Sequence, residues 1–188
     1  MGRITPLKFD FKNGHTVIVR NGNGSDARQI IDLTASVIEE GSFWITTPLE
    51  INPNLKEKRE WIKSYLIHPG RLLIVAETRD ELVGMLDFYN GSRRRIVHRG
   101  SFAMSVKREW RKLGIGTLLL STLLDWAARN PIIYKVGLSV LADNLGAIEL
   151  YRKMGFIEEG RRRCEIRMES GEFKDDVLMY KMVKPVDK

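Results

Sequence analysis

Residues 107 to 117 read K-R-E-W-R-K-L-G-I-G-T and run straight into the apolar stretch L-L-L-S-T-L-L-D-W-A-A. Four cations and two glycines at the mouth of a helix suit one kind of chemistry, the binding of an anion. The first turn of a helix leaves backbone N–H groups without intrahelical acceptors, and the peptide dipoles point their positive end the same way. Gly114 and Gly116 let a phosphate approach the backbone, while Arg111 and Lys112 offer charge-assisted hydrogen bonds from the rim. Together they suit a pyrophosphate. The loop lacks the third glycine of the dinucleotide fingerprint and the G-K-[ST] of a P-loop, and glycines for packing with lysines for solubility would give the same letters.

The elements that must position this loop alternate in type. Residues 15–20 form a β-branched run broken by Asn21-Gly22-Asn23-Gly24. Ser25 then reads as the N-cap of a helix with Ile30, Ile31, Thr34, Val37 and Ile38 on one face. After a polar and aromatic loop, Asn54 caps a second amphipathic helix carrying Leu55, Trp61, Ile62, Tyr65 and Leu66, which Pro69-Gly70 ends. Apolar runs at 72–77, 82–89 and 97–106, separated by Thr78-Arg79-Asp80 and Asn90-Gly91-Ser92, predict an antiparallel meander. Residues 114–129 predict a long helix, apolar nearly all round and therefore buried by other layers, stopped at Asn130-Pro131. A strand over 134–141, a helix over 144–154 and a hairpin of 156–168 with 173–183 around Ser170-Gly171 complete the chain. The order β α α β β β α β α β β predicts a mixed α/β protein, one domain over residues 1–188 with its core at about 16–183.

With 188 residues, 43% apolar and 29% charged, the chain can bury a sizeable core. No stretch approaches the roughly 20 apolar residues of a membrane span, and the first residues lack the apolar region of a secretory signal. The single cysteine, Cys164, cannot pair internally and stands outside any ligand cluster. That points to a reducing cytoplasm and away from structural zinc. His15, His68 and His98 are isolated, so no metal is expected. The net charge of +7 gathers in Arg triplets at 93–95 and 161–163 and in the 107–112 run. Such runs can face nucleic acid, an anionic cofactor or water, but these are scattered among strands with no reader motif, so nucleic acid is not an expected partner.

Arg111-Lys112-Leu113-Gly114-Ile115-Gly116 resembles the R/Q-x-x-G-x-G/A motif of the GNAT acyltransferase superfamily, at that family's strand-to-helix junction. Downstream, Asn144-Leu145-Gly146-Ala147-Ile148-Glu149-Leu150-Tyr151-Arg152-Lys153-Met154-Gly155-Phe156 is similar to its second signature, N-x-x-A-x-x-L-Y-x-K-x-G-F, at every defining position. The ending G-R-R-R-C-E-I-R-M-E-S-G-E-F-K-D-D-V-L-M resembles the branch containing spermidine and ribosomal-protein N-terminal acetyltransferases. The resemblance spans residues 16–183 and implies a mostly antiparallel mixed sheet of about seven strands flanked by about four helices. It implies an N-acetyltransferase that passes the acetyl group of acetyl-CoA directly to a primary amine, with a homodimer possible by analogy.

Residue roles follow from the same resemblance. Met104, Ser105 and Val106 would run along the pantetheine arm. The pyrophosphate would lie over Arg111, Lys112, Leu113, Gly114, Ile115, Gly116 and Thr117. Asn144, with Ala147 in the same signature, would meet the pantetheine region, Lys153 the nucleotide end, and Tyr151 the CoA sulfur. The chemistry agrees in kind: an amine attacks a thioester, fixed N–H donors stabilise the oxyanion, and a thiolate leaves. A thiol of pKa about 8.5 and a phenol of about 10 make Tyr151 a neutral donor of matched affinity, although Leu150-Tyr151 also reads as the core face of a helix. Protonated amines need a base first, and Glu39, Glu40 and Asp87 are the carboxylates in reach of the reading. Glu39 and Glu40 are the expected acceptor contacts. Ser42, Phe43, Trp44 and Trp61 either line an acceptor pocket or close over the core. A CoA-binding sensor without turnover and a basic nucleic-acid module are the rival readings.

Overall fold

The computed structural model describes residues 2–11, 14–41, 43–79 and 81–186, so Ser42 of the expected acceptor pocket and Asp80 of the predicted turn lie outside the described residues. Strands β1 (Leu7–Asp10) and β2 (Thr16–Asn21) lead to helix α1 (Ala27–Glu39) and helix α2 (Leu55–Ile67). Then come β3 (Leu72–Thr78), β4 (Glu81–Asn90), β5 (Arg99–Val106), α3 (Ile115–Arg129), β6 (Lys135–Leu141), α4 (Leu145–Lys153), β7 (Ile157–Arg167) and β8 (Phe173–Met182). The observed eight-stranded sheet runs β1-β2-β3-β4-β5-β6-β8-β7.

Local chemistry explains most boundaries. Asn54 starts α2 as expected, its side chain accepting from the amides of Lys56 and Glu57. Ser25 does not cap α1: the helix starts from Asp26 without a side-chain cap, and Asn23 caps the 3-10 turn over Gly24–Asp26 that leads into it. Asn23 accepts from the Ser25 amide at 2.9 Å while Asp26 accepts from the Asn23 amide at 2.7 Å, so the two polar side chains satisfy each other's turn reciprocally. Strand β1 is the element that sequence patterning does not signal. Its four residues, L-K-F-D, gain strand geometry only by pairing along β2, with Leu7 opposite Val19 and Asp10 opposite Thr16. Helix α3 is buried along most of its surface but not all round, since Thr117, Asp125 and Ala128 reach solvent.

Two apolar clusters sandwich the sheet. On one side Phe88, Phe102, Leu119, Leu123, Tyr151 and Phe156 belong to the larger core under α3 and α4. On the other, Ile30, Leu33, Ile62, Tyr65, Leu73 and Val75 pack beneath α1 and α2. The sheet is antiparallel except between β5 and β6, and that parallel pairing extends only from Arg99 opposite Lys135 to Ser101 opposite Gly137. Beyond Ser101 the strands part: β6 continues along β8 to Leu141, while β5 continues along β4 to Val106 with no strand partner on its other side. An unpaired strand flank holds donors and acceptors that need partners.

Candidate functional site

The parting of β5 and β6 leads directly into the glycine loop. Lys107 donates its amide to Val83 O at 3.0 Å, and a 3-10 turn over Arg108–Trp110 carries the chain to Arg111. Lys112 and Gly114 both take positive φ, +61° and +94°, which turns the backbone sharply into α3. The first backbone bond of α3 runs from Leu118 N to Gly114 O at 3.0 Å. The amides of Lys112, Leu113, Gly114, Ile115, Gly116 and Thr117 therefore have no acceptor among the described residues, and no side chain caps the helix. A diphosphate matches such a row of donors at a positive helix end. Ser105, buried on the unpaired reach of β5, also has a hydroxyl without a hydrogen-bond partner among the described residues. These residues fit the cofactor that the motif implies.

The two glycines do different work. Gly114 supplies a left-handed conformation that a side chain resists, with only Phe11 near where a Cβ would stand. Gly116 supplies room for packing: a Cβ there would meet Leu150 at 3.2 Å and Met104 at 3.4 Å, so its absence lets α3 close against α4 and β5. Arg111 is engaged twice, its Nε donating to Val106 O at 3.0 Å and its guanidinium gripping both oxygens of Glu40 at 2.5 and 2.8 Å. Glu40 thus reaches the cofactor loop from the end of α1, whereas Glu39 beside it is exposed. A cleft of about 280 Å³ opens beside this pair, lined by Ser36, Glu40, Lys107, Arg108 and Glu109.

Helix α4 brings the second signature alongside. Asn144 caps it, accepting from the Ala147 amide at 3.2 Å. Ala147 packs against the larger core. Tyr151, one of that core's buried residues, sets its ring edge-on to Phe102, centroids 5.7 Å apart, and tilted against Phe156 at 6.0 Å. Burial pushes its phenol up to about 12, and the hydroxyl makes no hydrogen bond with the described residues. Phe102 immediately follows Ser101, so the phenol belongs to the point where β5 and β6 part. Lys153 is exposed and pairs with Glu149 at 2.7 Å, a surface i,i+4 bridge.

The opposite face of the sheet holds a group whose setting the sequence did not disclose. Asp87, mid-strand in β4, accepts from the Tyr65 hydroxyl at 2.9 Å. Burial raises its carboxyl to about 6, against the opposing pull of Tyr65 and Lys58. Trp61 stacks near Tyr65 with centroids 4.7 Å apart, and Lys58 lies 4.6 Å over the Trp61 ring. The available signal was a run of Lys58, Trp61 and Tyr65 at three- and four-residue spacing on one helix, together with a lone carboxylate inside the apolar strand L-V-G-M-L-D-F-Y. Trp44 packs at the rim of the same core cluster, while Phe43 is half-exposed. The Arg triplet at 161–163 is neutralised locally: Arg161 and Arg163 reach Asp175, and Arg162 reaches Asp176. No helix among the described residues is long and apolar enough to cross a membrane.

Comparison with known proteins agrees with this geometry. Over 122 residues the chain is 26% identical to the L-amino acid N-acetyltransferase AaaT of Escherichia coli (strain K12), covering 65% of this chain and 75% of that protein. It is also 26% identical over 142 residues to the spermidine N(1)-acetyltransferase of Vibrio cholerae, covering 74% and 78%. A GNAT-family acetyltransferase from Streptococcus pneumoniae superposes with a TM-score of 0.85 at 24% identity, covering 88% of this chain and 99% of that one. YncA of Salmonella typhimurium, solved with its cofactor acetyl-CoA, superposes at 0.81 with 16% identity, covering 92% and 96%. The family model described as "Acetyltransferase (GNAT) family" matches residues 40–156, which takes in the whole glycine loop, α3 and the second signature. With well over half of its length inside that match, the chain belongs to the GNAT family and is an acetyltransferase that takes its acetyl group from acetyl-CoA.

Proposed function

We propose that this acetyltransferase passes the acetyl group directly to a primary amine of a small molecule or a peptide N-terminus, with Tyr151 returning a proton to the departing thiolate. The observation that carries the reading is the Tyr151 phenol, buried against Phe102 and Phe156 beside the parting of β5 and β6, with no hydrogen-bond partner among the described residues. The relatives named above acetylate amines, an amino acid in one case and a polyamine in the other. Met104, Ser105 and Val106 would pair with the amide groups of the pantetheine arm from the unpartnered side of β5. The row of amides over residues 112–117, with Arg111, would take the pyrophosphate. Asn144, Ala147 and Lys153 flank that path on α4, and Glu39 and Glu40 stand at the end of α1 as candidate acceptor contacts. Bound there, acetyl-CoA supplies an activated acyl carbon and a leaving thiolate.

Tyr151's role has a physical condition attached. A phenol near 12 is a weaker acid than a thiol near ~8.5, so Tyr151 stays neutral at working pH but gives up its proton reluctantly. Tyr151 must therefore recover a proton from the acceptor nitrogen as it delivers one to sulfur. The test is thiol release from acetyl-CoA across a panel of amino acids, peptides, polyamines and aminoglycosides. Turnover on at least one amine is expected. Tight CoA binding with no thiol released from any amine would instead make the chain a sensor. A cytoplasmic location and a homodimer complete the proposal, and equilibrium sedimentation of the purified chain tests the latter.

A further inference from the structure

The transfer reading leaves open what receives the acceptor, and Asp87 answers that question within it. Asp87 sits between Leu73 on β3 and Ala103 on β5, with the buried Leu86 and Phe88 on either side along β4. A carboxylate can accept about four hydrogen bonds, yet Tyr65 is the one side-chain donor that reaches it among the described residues. Beyond Tyr65, only its own backbone amide and the nearby charge of Lys58 offset the burial of this carboxylate, which leaves acceptor capacity unused in a costly setting. Its place in the sheet accounts for it. Ala103 lies two residues beyond Ser101, the last residue of β5 paired to β6. Alternation along the strands puts Phe102 against Tyr151 on one face and Asp87 beside Ala103 on the other. Asp87 and Tyr151 thus flank the same two residues of β5 from opposite sides, where the strand pairing ends.

We propose that Asp87 receives the ammonium group of the acceptor against the Trp61–Tyr65 wall, takes its first proton, and selects primary amines that carry no second cation. An N–H bond of the ammonium breaks toward the Asp87 carboxylate. The freed lone pair forms the C–N bond to the thioester carbon, and the C–S bond breaks with its electrons on sulfur. The second nitrogen proton passes to the Tyr151 oxygen as the phenol proton passes to sulfur, and Asp87 releases its proton to water. The sum is one amide, one thiol and one proton. The aromatic rings favour a bound cation. The charged groups around Asp87 set the selectivity: Lys58 on α2 faces it, and Arg71 lies 5.9 Å over the Tyr65 ring, with Tyr89 next along β4. One carboxylate with two cations accommodates an amino acid or a simple monoamine and repels a polyamine.

The experiment starts from an amine that the wild type acetylates, so loss of the transferase reading shows itself before any variant is made. Asp87→Asn keeps an acceptor for the Tyr65 hydroxyl. It is expected to lower kcat/KM at pH 7 by about 100-fold or more while CoA affinity by calorimetry stays within about twofold. Calorimetry with the CoA-loaded protein should show acceptor binding weakened about tenfold. The wild-type rate should fall below a pH of about 6, and Asp87→Asn should lack that limb. Tyr65→Phe, which removes the donor to the carboxylate, should move the same limb to higher pH and serves if Asp87→Asn folds poorly. An Asp87→Asn enzyme within threefold of wild type, an unchanged acid limb in both variants, or spermidine outrunning every amino acid and monoamine would overturn the assignment.

Discussion

The two sides of the sheet are built on different principles. The corner proposed for the cofactor draws on consecutive residues, 112–117, and on their backbone amides, held open by positive φ at Lys112 and Gly114. The wall proposed for the acceptor draws on side chains far apart in sequence, Tyr65 donating to Asp87 across 22 residues and two elements. A main-chain site tolerates changes of side chain but not of backbone conformation; a side-chain site does the reverse. The first leaves a spacing of glycines in the sequence. The second leaves single letters that take on meaning only once the strands are aligned.

The contrast can be broken or sharpened by substitution. The largest effect is expected from Tyr151→Phe, which keeps the packing on Phe102 and Phe156 but removes the phenol. Steady-state kinetics should show kcat lower by about 10²–10⁴ with CoA affinity unchanged. Next comes Gly114→Val, where a β-branched residue at φ +94° strains the loop by about 1–3 kcal/mol and should weaken CoA binding by more than about tenfold in calorimetry. In the same loop Lys112→Ala should change that affinity by less than about threefold, the worth of one exposed contact. If Lys112→Ala proves the more damaging, the corner works through side-chain charge and the contrast fails.

A smaller effect should separate function from stability at Asp87. Its folded pKa, about 6, lies above the value near 3.9 of an unfolded aspartate, so the folded state binds the extra proton between these values. The wild type therefore loses stability as pH rises through roughly 4 to 6, and does not recover it above. Asp87→Asn should be more stable than wild type by about 1–3 kcal/mol at pH 8, with the difference vanishing near pH 4, by thermal melts at both values. Of modest size too, Glu40→Gln removes a carboxylate that would compete with the cofactor's phosphate for Arg111. CoA should bind about two- to fivefold more tightly at low salt, and the gain should fade as salt is added.

Much of the fold was legible because apolar periodicity and turn residues agreed: the meander, the long α3 and the closing hairpin all stand where patterning put them, within a residue or two at their ends. Strand β1 was not, because Lys8 and Asp10 leave it too little apolar signal and it forms as an edge on β2. Ser25 does not cap α1 because a 3-10 turn capped by Asn23 precedes the helix, and its hydrogen bonds are reciprocal with Asp26, which no single residue announces. In the site, the amide row and Tyr151 lay inside contiguous motifs. Glu40 and Arg111, 71 residues apart, and Asp87 with Tyr65 are joined only by folding.

The three residue pairs that join β5 to β6 are a narrow seam between two larger pieces of sheet, β1 to β5 on one side and β6, β8 and β7 on the other. A ligand chain bonded to the loose flank of β5 takes the place that a neighbouring strand would occupy. In the pose proposed above, acetyl-CoA would be a structural member as well as a reagent. Its concentration would set how firmly the two pieces are stitched, and each departure of product would unpick part of the sheet.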